Sequence, residues 1–290
     1  MLETDCLSRF LFDGLQIRGE RVHLTETWRE VLARRDYPTE VRGVLGEAMA
    51  ATALLATLMK SAGDLTLQIQ SEGPLKLLVV QCDADGHLRA LARFDPSSDA
   101  SGLPDLSPGG TLAVTVQPEG GQRVQGVVSI ERDHLAGALD RYFRDSVQLP
   151  THFRLAADSG RVAGILVQKL PEGAPSDEDG WSRVATLTDS VSSRELLHLD
   201  TGTLLRRLYH EENVRLFEPT ALSFECSCSR ERIAEVLRGL GREEVDGVLR
   251  ERDNVVVACE FCGAQYRFDA VDALALFTLP GESGSSSTLH

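Results

Sequence analysis

Two cysteine pairs near the end of the chain, Cys226-Ser-Cys228 and Cys259-Glu-Phe-Cys262, constrain this sequence more than any other feature. A tetrahedral zinc site takes four soft donors with sulfurs at ~2.3 Å from the metal. Residues i and i+2 of an extended segment point to the same side, so Cys226 and Cys228 can share one ion. Cys259-x-x-Cys262 followed by Gly263 reads as a knuckle. Strand 255–258 enters it, Gly263 permits the sharp turn, and strand 265–268 leaves it. The four cysteines are therefore predicted to hold one zinc ion.

The segment between the pairs looks foldable but small. Ser229 is placed to cap a helix whose stripe is Ile233, Val236, Leu237 and Leu240, ended by Gly241, with a further helical turn or two at Val245, Val248 and Leu249. A module of roughly 50 residues lacks the area for an independent core, so metal binding supplies much of its folding energy. Four thiolates around Zn²⁺ leave an excess of negative charge, and Arg230, Arg232 and Arg267 are near enough in sequence to offset it. Two alternative roles for the cysteines remain open: a structural zinc ribbon in a binding module, and a thiol-disulfide oxidoreductase using Cys259 and Cys262. The second is disfavoured because such a motif wants its reactive cysteine at a helix N-terminus, whereas strands flank this one.

The rest of the chain of 290 residues reads as α+β. Phe10–Phe12 and Leu15–Ile17 lead into a strand around 22–24. Thr25 or Thr27 caps a short helix ending before Tyr37-Pro38, and Thr39 opens a long helix to about Lys60. Hairpins are signalled by Asp85-Gly86 and Gly120-Gly121, with a third over 152–156 and 162–170 and a helix at 134–143. The expected result is a mostly antiparallel sheet covered by helices. Pro171 to Gly180 combines Pro, Gly and acids and marks a boundary. From Trp181 to Tyr209 the pattern becomes short amphipathic helices that must bury their apolar faces on a neighbour. The expected domains are 1–175, an N-terminal α+β domain; 176–222, a helical linker; 223–279, a small zinc-binding domain; and 280–290, a Gly/Ser-rich disordered tail.

Bulk properties exclude several functions. A formal charge of −14 opposes a broad nucleic-acid footprint, which needs clustered Lys and Arg, and equally an anionic membrane surface. No run reaches the ~18 apolar residues of a membrane span, and the N-terminus has no signal-peptide pattern, so a cytoplasmic location is expected. There thiols stay reduced, which favours metal or redox roles for the six cysteines. Cys6 and Cys82 stand alone, Cys82 as a core residue. His210-Glu-Glu-Asn lacks the second His of a zincin motif and reads as a helix end. No Walker loop, Rossmann glycine fingerprint or Gly-x-Ser-x-Gly elbow is present, so neither an enzyme nor an ATP-driven machine is expected.

Several segments carry a family likeness: Phe10-Leu-Phe12 through Ile17-Arg-Gly-Glu20, Gln125-Gly-Val-Val128, Gln148-Leu-Pro-Thr151, and above all Leu208-Tyr-His-Glu-Glu212. Cys226-Ser-Cys-Ser-Arg-Glu-Arg232, Glu243-Glu-Val-Asp246 and Cys259-Glu-Phe-Cys-Gly263 follow at matching distances. Together they resemble the 33 kDa chaperonin family, bacterial redox-regulated holdases. The resemblance implies a chaperone that is inactive while reduced and zinc-bound. It implies that oxidation forms Cys226–Cys228 and Cys259–Cys262 disulfides, expels zinc and unfolds the C-terminal domain and linker. It further implies unfolding client proteins as partners, held without ATP, and a homodimer on activation. A bond between Cys226 and Cys228 closes a small ring, and strained disulfides are the labile, regulatory kind.

Overall fold

The helix predicted to open at Thr39 organises the molecule, because it is apolar on nearly every side. In the computed structural model, which describes residues 5–58, 62–95, 102–130, 134–171, 177 and 179–277, that helix runs Thr39–Ala56 with Val44, Leu45, Met49, Leu54 and Leu55 all buried. A helix buried all round needs cover on several faces, and here two sheets supply it.

The elements in chain order begin with β1 (Cys6–Phe12), β2 (Ile17–Leu24), α1 (Glu26–Leu32) and α2 (Thr39–Ala56). Next come β3 (Gly63–Gln70), β4 (Leu75–Cys82), β5 (His87–Phe94), α3 (Gly102–Leu106), β6 (Thr111–Pro118) and β7 (Val124–Ser129). α4 (Leu135–Tyr142) then leads through a π-helical turn to the hairpin β8 (Thr151–Ala157) and β9 (Val162–Lys169). Three helices follow, α5 (Gly180–Asp189), α6 (Ser193–His198) and α7 (Thr201–Leu208), then the short strands β10 (Val214–Leu216), β11 (Thr220–Ala221) and β12 (Ser223–Phe224). The last elements are α8 (Arg230–Leu240), α9 (Arg242–Glu251), β13 (Val255–Ala258), β14 (Gln265–Phe268) and α10 (Ala270–Phe277). The chain divides into two units, one ending at Glu225 and one beginning at Cys226.

The α+β class is as expected, but the first unit holds two six-stranded sheets rather than one. The first has the order β10-β1-β2-β9-β8 with β11 also on β1; the second has β12-β5-β4-β3-β6-β7. Hairpin signals reveal neighbours along the chain, whereas the β2–β9 and β3–β6 pairings that assign strands to sheets join distant segments. α2 lies between the sheets and approaches the first closely at Gly46, where a Cβ would stand 2.5 Å from the Ala157 side chain.

The first sheet is buried on both faces, and alternation separates them. Leu7, Val22, Leu24, Val162 and Leu166 join the core around α2. Phe10, Phe12, Ile17, Ala163, Ile165 and Val167 form a second core with Val184, Val191, Leu196, Leu204, Leu205 and Leu208 of α5–α7. The amphipathic helices thus bury their stripes on the far side of the first sheet. The expected linker is helical only as far as Leu208. Beyond it, β10 and β11 extend the first sheet along β1, and β12 runs parallel to β5 at the edge of the second. These strands are too short to show an alternation pattern in the sequence.

Smaller expectations also shift. α1 is capped by neither Thr25 nor Thr27. The Asp5 carboxylate accepts the N–H groups of Thr25 at 2.5 Å, Glu26 at 3.0 Å and Thr27, which holds its pKa low despite burial. The 280–290 tail and most of the 171–180 boundary lie outside the described residues. Among the described residues no helix is long and apolar enough to cross a membrane.

Candidate metal centre and the docked helices

In the second unit, β13 and β14 pair antiparallel with Ala258 opposite Gln265, which places the Cys259–Cys262 turn at the tip of a hairpin. Cys259 N–H donates to Ala264 O and Gly263 N–H to Cys259 O, both at 2.8 Å. Gly263 sits at φ +76°, where a side chain would be strained. The other pair lies in an extended segment just before α8. Ser229 accepts from the backbone N–H of Arg232 and caps that helix, as its position suggested.

Folding brings the two pairs together. Cys226 Sγ lies 3.7 Å from Cys259 Sγ, Cys228 Sγ lies 3.3 Å from Cys262 Sγ, and all four sulfurs fall within 4.8 Å of one another. Sulfurs bound at ~2.3 Å to a tetrahedral zinc ion are about 3.8 Å apart. Electrostatics supports the same conclusion. Burial, and then the adjacent sulfurs, push Cys262 up to about 12, and burial also raises Cys259. Four thiolates packed this closely would repel one another unless a cation lay among them. The donor set and its spacing fit one thiophilic metal ion, and zinc matches both.

The surroundings were only partly legible. Arg230 does not face the sulfurs: it stacks at 4.3 Å on the Phe268 ring, donates to Arg267 O and pairs with Asp272 at 2.7 Å. Arg232 donates to Ser227 O at 2.7 Å and thereby holds the residue between two of the cysteines. Sequence reasoning missed Tyr266, whose hydroxyl donates to Cys228 Sγ at 3.1 Å. Its only signal was a period-2 position next to the knuckle. The stripe on α8 is also corrected: Ala234 and Leu237 are buried, while Val236 and Leu240 are 57% and 60% exposed. The core of this unit is accordingly small, centred on Ala234, Leu237, Val245, Val255, Phe268 and Ala273.

A second grouping, Asp83, Asp85 and His87, gathers at the β4–β5 turn. Its groups already have partners: the Asp83 carboxylate accepts from the N–H groups of Asp85 and His87 and meets His87 Nδ1 at 2.9 Å, while His87 Nε2 lies 3.1 Å from Glu225 Oε2. Cys82 is buried and its thiol is pushed up to about 12, so it is inert; Cys6 is buried too.

In the first unit, α5–α7 are attached by polar pins as well as apolar burial. Arg21 of β2 is 1% exposed, and its guanidinium donates to Thr201 Oγ1 at 2.7 Å, Leu196 O at 3.2 Å and Leu199 O. His23 meets Leu197 O at 3.2 Å. Arg154 of β8 reaches Asp189 Oδ1 and Val191 O, each at 3.3 Å. Arg21 and Arg154 place their charges at the C-terminal ends of α6 and α5, where carbonyls lack helical partners and the dipole is negative. Tyr209 closes the row, T-shaped against Phe12 with its hydroxyl 2.7 Å from Thr188 Oγ1.

Fold and site together define a two-part protein: an α+β unit with amphipathic helices docked on one sheet, and a small unit built around a four-thiol cluster able to hold a metal ion. The chain belongs to the Hsp33 family, whose model, described as Hsp33 protein, matches residues 5–269. The 33 kDa chaperonin of Azotobacter vinelandii is 46% identical over 297 residues, covering all of both chains. That of Nitrosococcus oceani is 46% identical over 290 residues, again covering both completely. The crystal structure of the 33 kDa chaperonin from Thermotoga maritima superposes with a TM-score of 0.78 at 21% identity, covering 94% of this chain and 97% of that one. That likeness bears on the fold alone.

Proposed function

We propose that this chain is an ATP-independent holdase chaperone of the cytoplasm, switched by oxidation of Cys226, Cys228, Cys259 and Cys262. Family membership supports the chaperone activity. The observation that carries the switch is the convergence of four sulfurs within 4.8 Å in a unit with a minimal core. When bound, zinc neutralises the thiolates and supplies the folding energy which that core lacks.

In the reduced state the four thiolates hold zinc and the C-terminal domain is folded. Two equivalents of a two-electron oxidant, one for each pair, convert the four thiolates to Cys226–Cys228 and Cys259–Cys262 disulfides, whose sulfurs would no longer hold a zinc ion. The domain then unfolds, the linker of residues 176–222 undocks, and the apolar faces of α5–α7 and of the sheet beneath them become available to unfolding clients. The active form is a homodimer.

The test treats zinc-loaded protein with peroxide under mildly unfolding conditions and follows aggregation of a denatured client. Protection after oxidation, absent before it and abolished again by a dithiol reductant, is the expected result. Equal protection in both states would make the cluster a structural ribbon, and catalytic turnover of a dithiol reporter would make the protein an oxidoreductase.

A further inference from the structure

The two halves of the thiolate cluster are supported differently. Cys259 and Cys262 lie in the knuckle, where backbone N–H groups of Phe261, Cys262 and Ala264 point at their sulfurs. Cys228 lies in an extended run ahead of α8, and a side chain serves it: the Tyr266 hydroxyl, 3.1 Å from its Sγ. That hydroxyl is held in place from both ends. Tyr266 stands opposite Val257 in the β13–β14 ladder, and its ring packs against the core formed by Leu237, Val245 and Phe268.

We propose that Tyr266 is a positioning residue of the metal centre, whose hydroxyl keeps Cys228 aimed at the ion and restrains its reaction with oxidants. The inference rests on the redox reading above and concerns the regulation of that site. In the step it controls, the Cys228 thiolate attacks a peroxide oxygen. The O–O bond breaks, hydroxide leaves and a sulfenic acid forms. A second thiolate of the cluster then attacks the Cys228 sulfur, expels hydroxide and closes a disulfide, so that two electrons pass from two sulfurs to one peroxide. The first attack uses a sulfur lone pair, and the hydroxyl proton withdraws charge from that sulfur. A donor that lowers thiolate basicity tenfold slows attack on an electrophile about threefold. Tyr266 would therefore set the oxidant level at which zinc is released, without touching the metal.

The test uses the full-length, zinc-loaded chain with Tyr266→Phe, which keeps the ring and removes the donor. Site-resolved alkylation by iodoacetamide, read by mass spectrometry, should show Cys228 reacting about threefold faster relative to Cys259. Zinc release by peroxide, read with a chromophoric chelator, should accelerate in step. If Tyr266→Phe does not retain one zinc per chain, 3-fluorotyrosine at position 266 keeps the hydroxyl and makes it the stronger donor. It should slow Cys228 alkylation relative to Cys259. An unchanged Cys228-to-Cys259 ratio in the zinc-loaded Phe variant, or in the fluorotyrosine protein where the Phe variant loses its metal, overturns the proposal. Failure of the chaperone reading looks different: alkylation and zinc release shift as stated, yet the oxidised protein protects no client.

Discussion

Replacing Arg21 by Met tests whether α5–α7 are held to the sheet by polar pins as well as apolar burial. Met keeps an unbranched stem and removes every guanidinium donor. Leu196 O, Leu199 O and Thr201 Oγ1 would then lose the donor they now share. Each buried acceptor left unsatisfied costs ~1–3 kcal/mol. Part of that is offset because a desolvated cation, costing several kcal/mol to bury, is no longer there. The net loss of docking free energy is about 2–4 kcal/mol, which raises the undocked population by roughly 30- to 1000-fold at 1.4 kcal/mol per tenfold. Hydrogen exchange in the reduced, zinc-loaded protein reads this directly. Amides of residues 193–208 should exchange faster by that factor, while those of β3 and β4 stay unchanged and zinc stays bound. Exchange over 193–208 within twofold of the parent would refute the reasoning and leave the apolar core as the sole attachment.

Other expectations follow from single contacts. A Cβ at Gly19 would collide with the Phe10 ring, so Gly19→Ala should destabilise the first unit by about 1–3 kcal/mol in denaturant unfolding followed by the fluorescence of Trp28 and Trp181. Glu47 on α2 is raised by burial to about 7, the Arg154 charge opposing only in part. The native state therefore binds the Glu47 proton more tightly than the unfolded chain does, and stability falls as pH rises from about 4.5 to 7. That contribution is on the order of 3 kcal/mol, and Glu47→Gln should flatten the dependence in the same unfolding assay across this range. Cys226→Ser should weaken zinc binding and reduce exchange protection over 226–268 while leaving the first unit folded, a pattern that competitive chelator titration and hydrogen exchange would show together.

Local chemistry was the legible part of this chain. The convergence of Cys226, Cys228, Cys259 and Cys262 showed in their spacing, because a four-sulfur cluster imposes short-range rules on sequence. The hairpin turn at Asp85-Gly86 showed for a similar reason: positive φ at Gly86 is a local demand. Contacts between segments far apart in the chain were not legible. Nothing in Ile17-Arg-Gly-Glu-Arg-Val-His-Leu24 announces that Arg21 and His23 meet backbone carbonyls more than 170 positions later; a buried arginine in a strand looks like a solvated one until its partners are placed. The division into two sheets and the edge strands β10 to β12 were hidden in the same way. Arg230 shows the converse limit, since nearness in sequence suggested a sulfur partner and the fold supplied Phe268 and Asp272 instead.

In the proposed switch, metal, fold and chaperone output are linked. Stepwise peroxide oxidation of the zinc-loaded protein, with bound zinc, exchange over 180–209 and client protection read on each sample, tests it most directly. All three should change together with the same midpoint, as Cys226, Cys228, Cys259 and Cys262 lose their thiols. Full zinc release with exchange over 180–209 unaltered, or client protection before any zinc is lost, would contradict it.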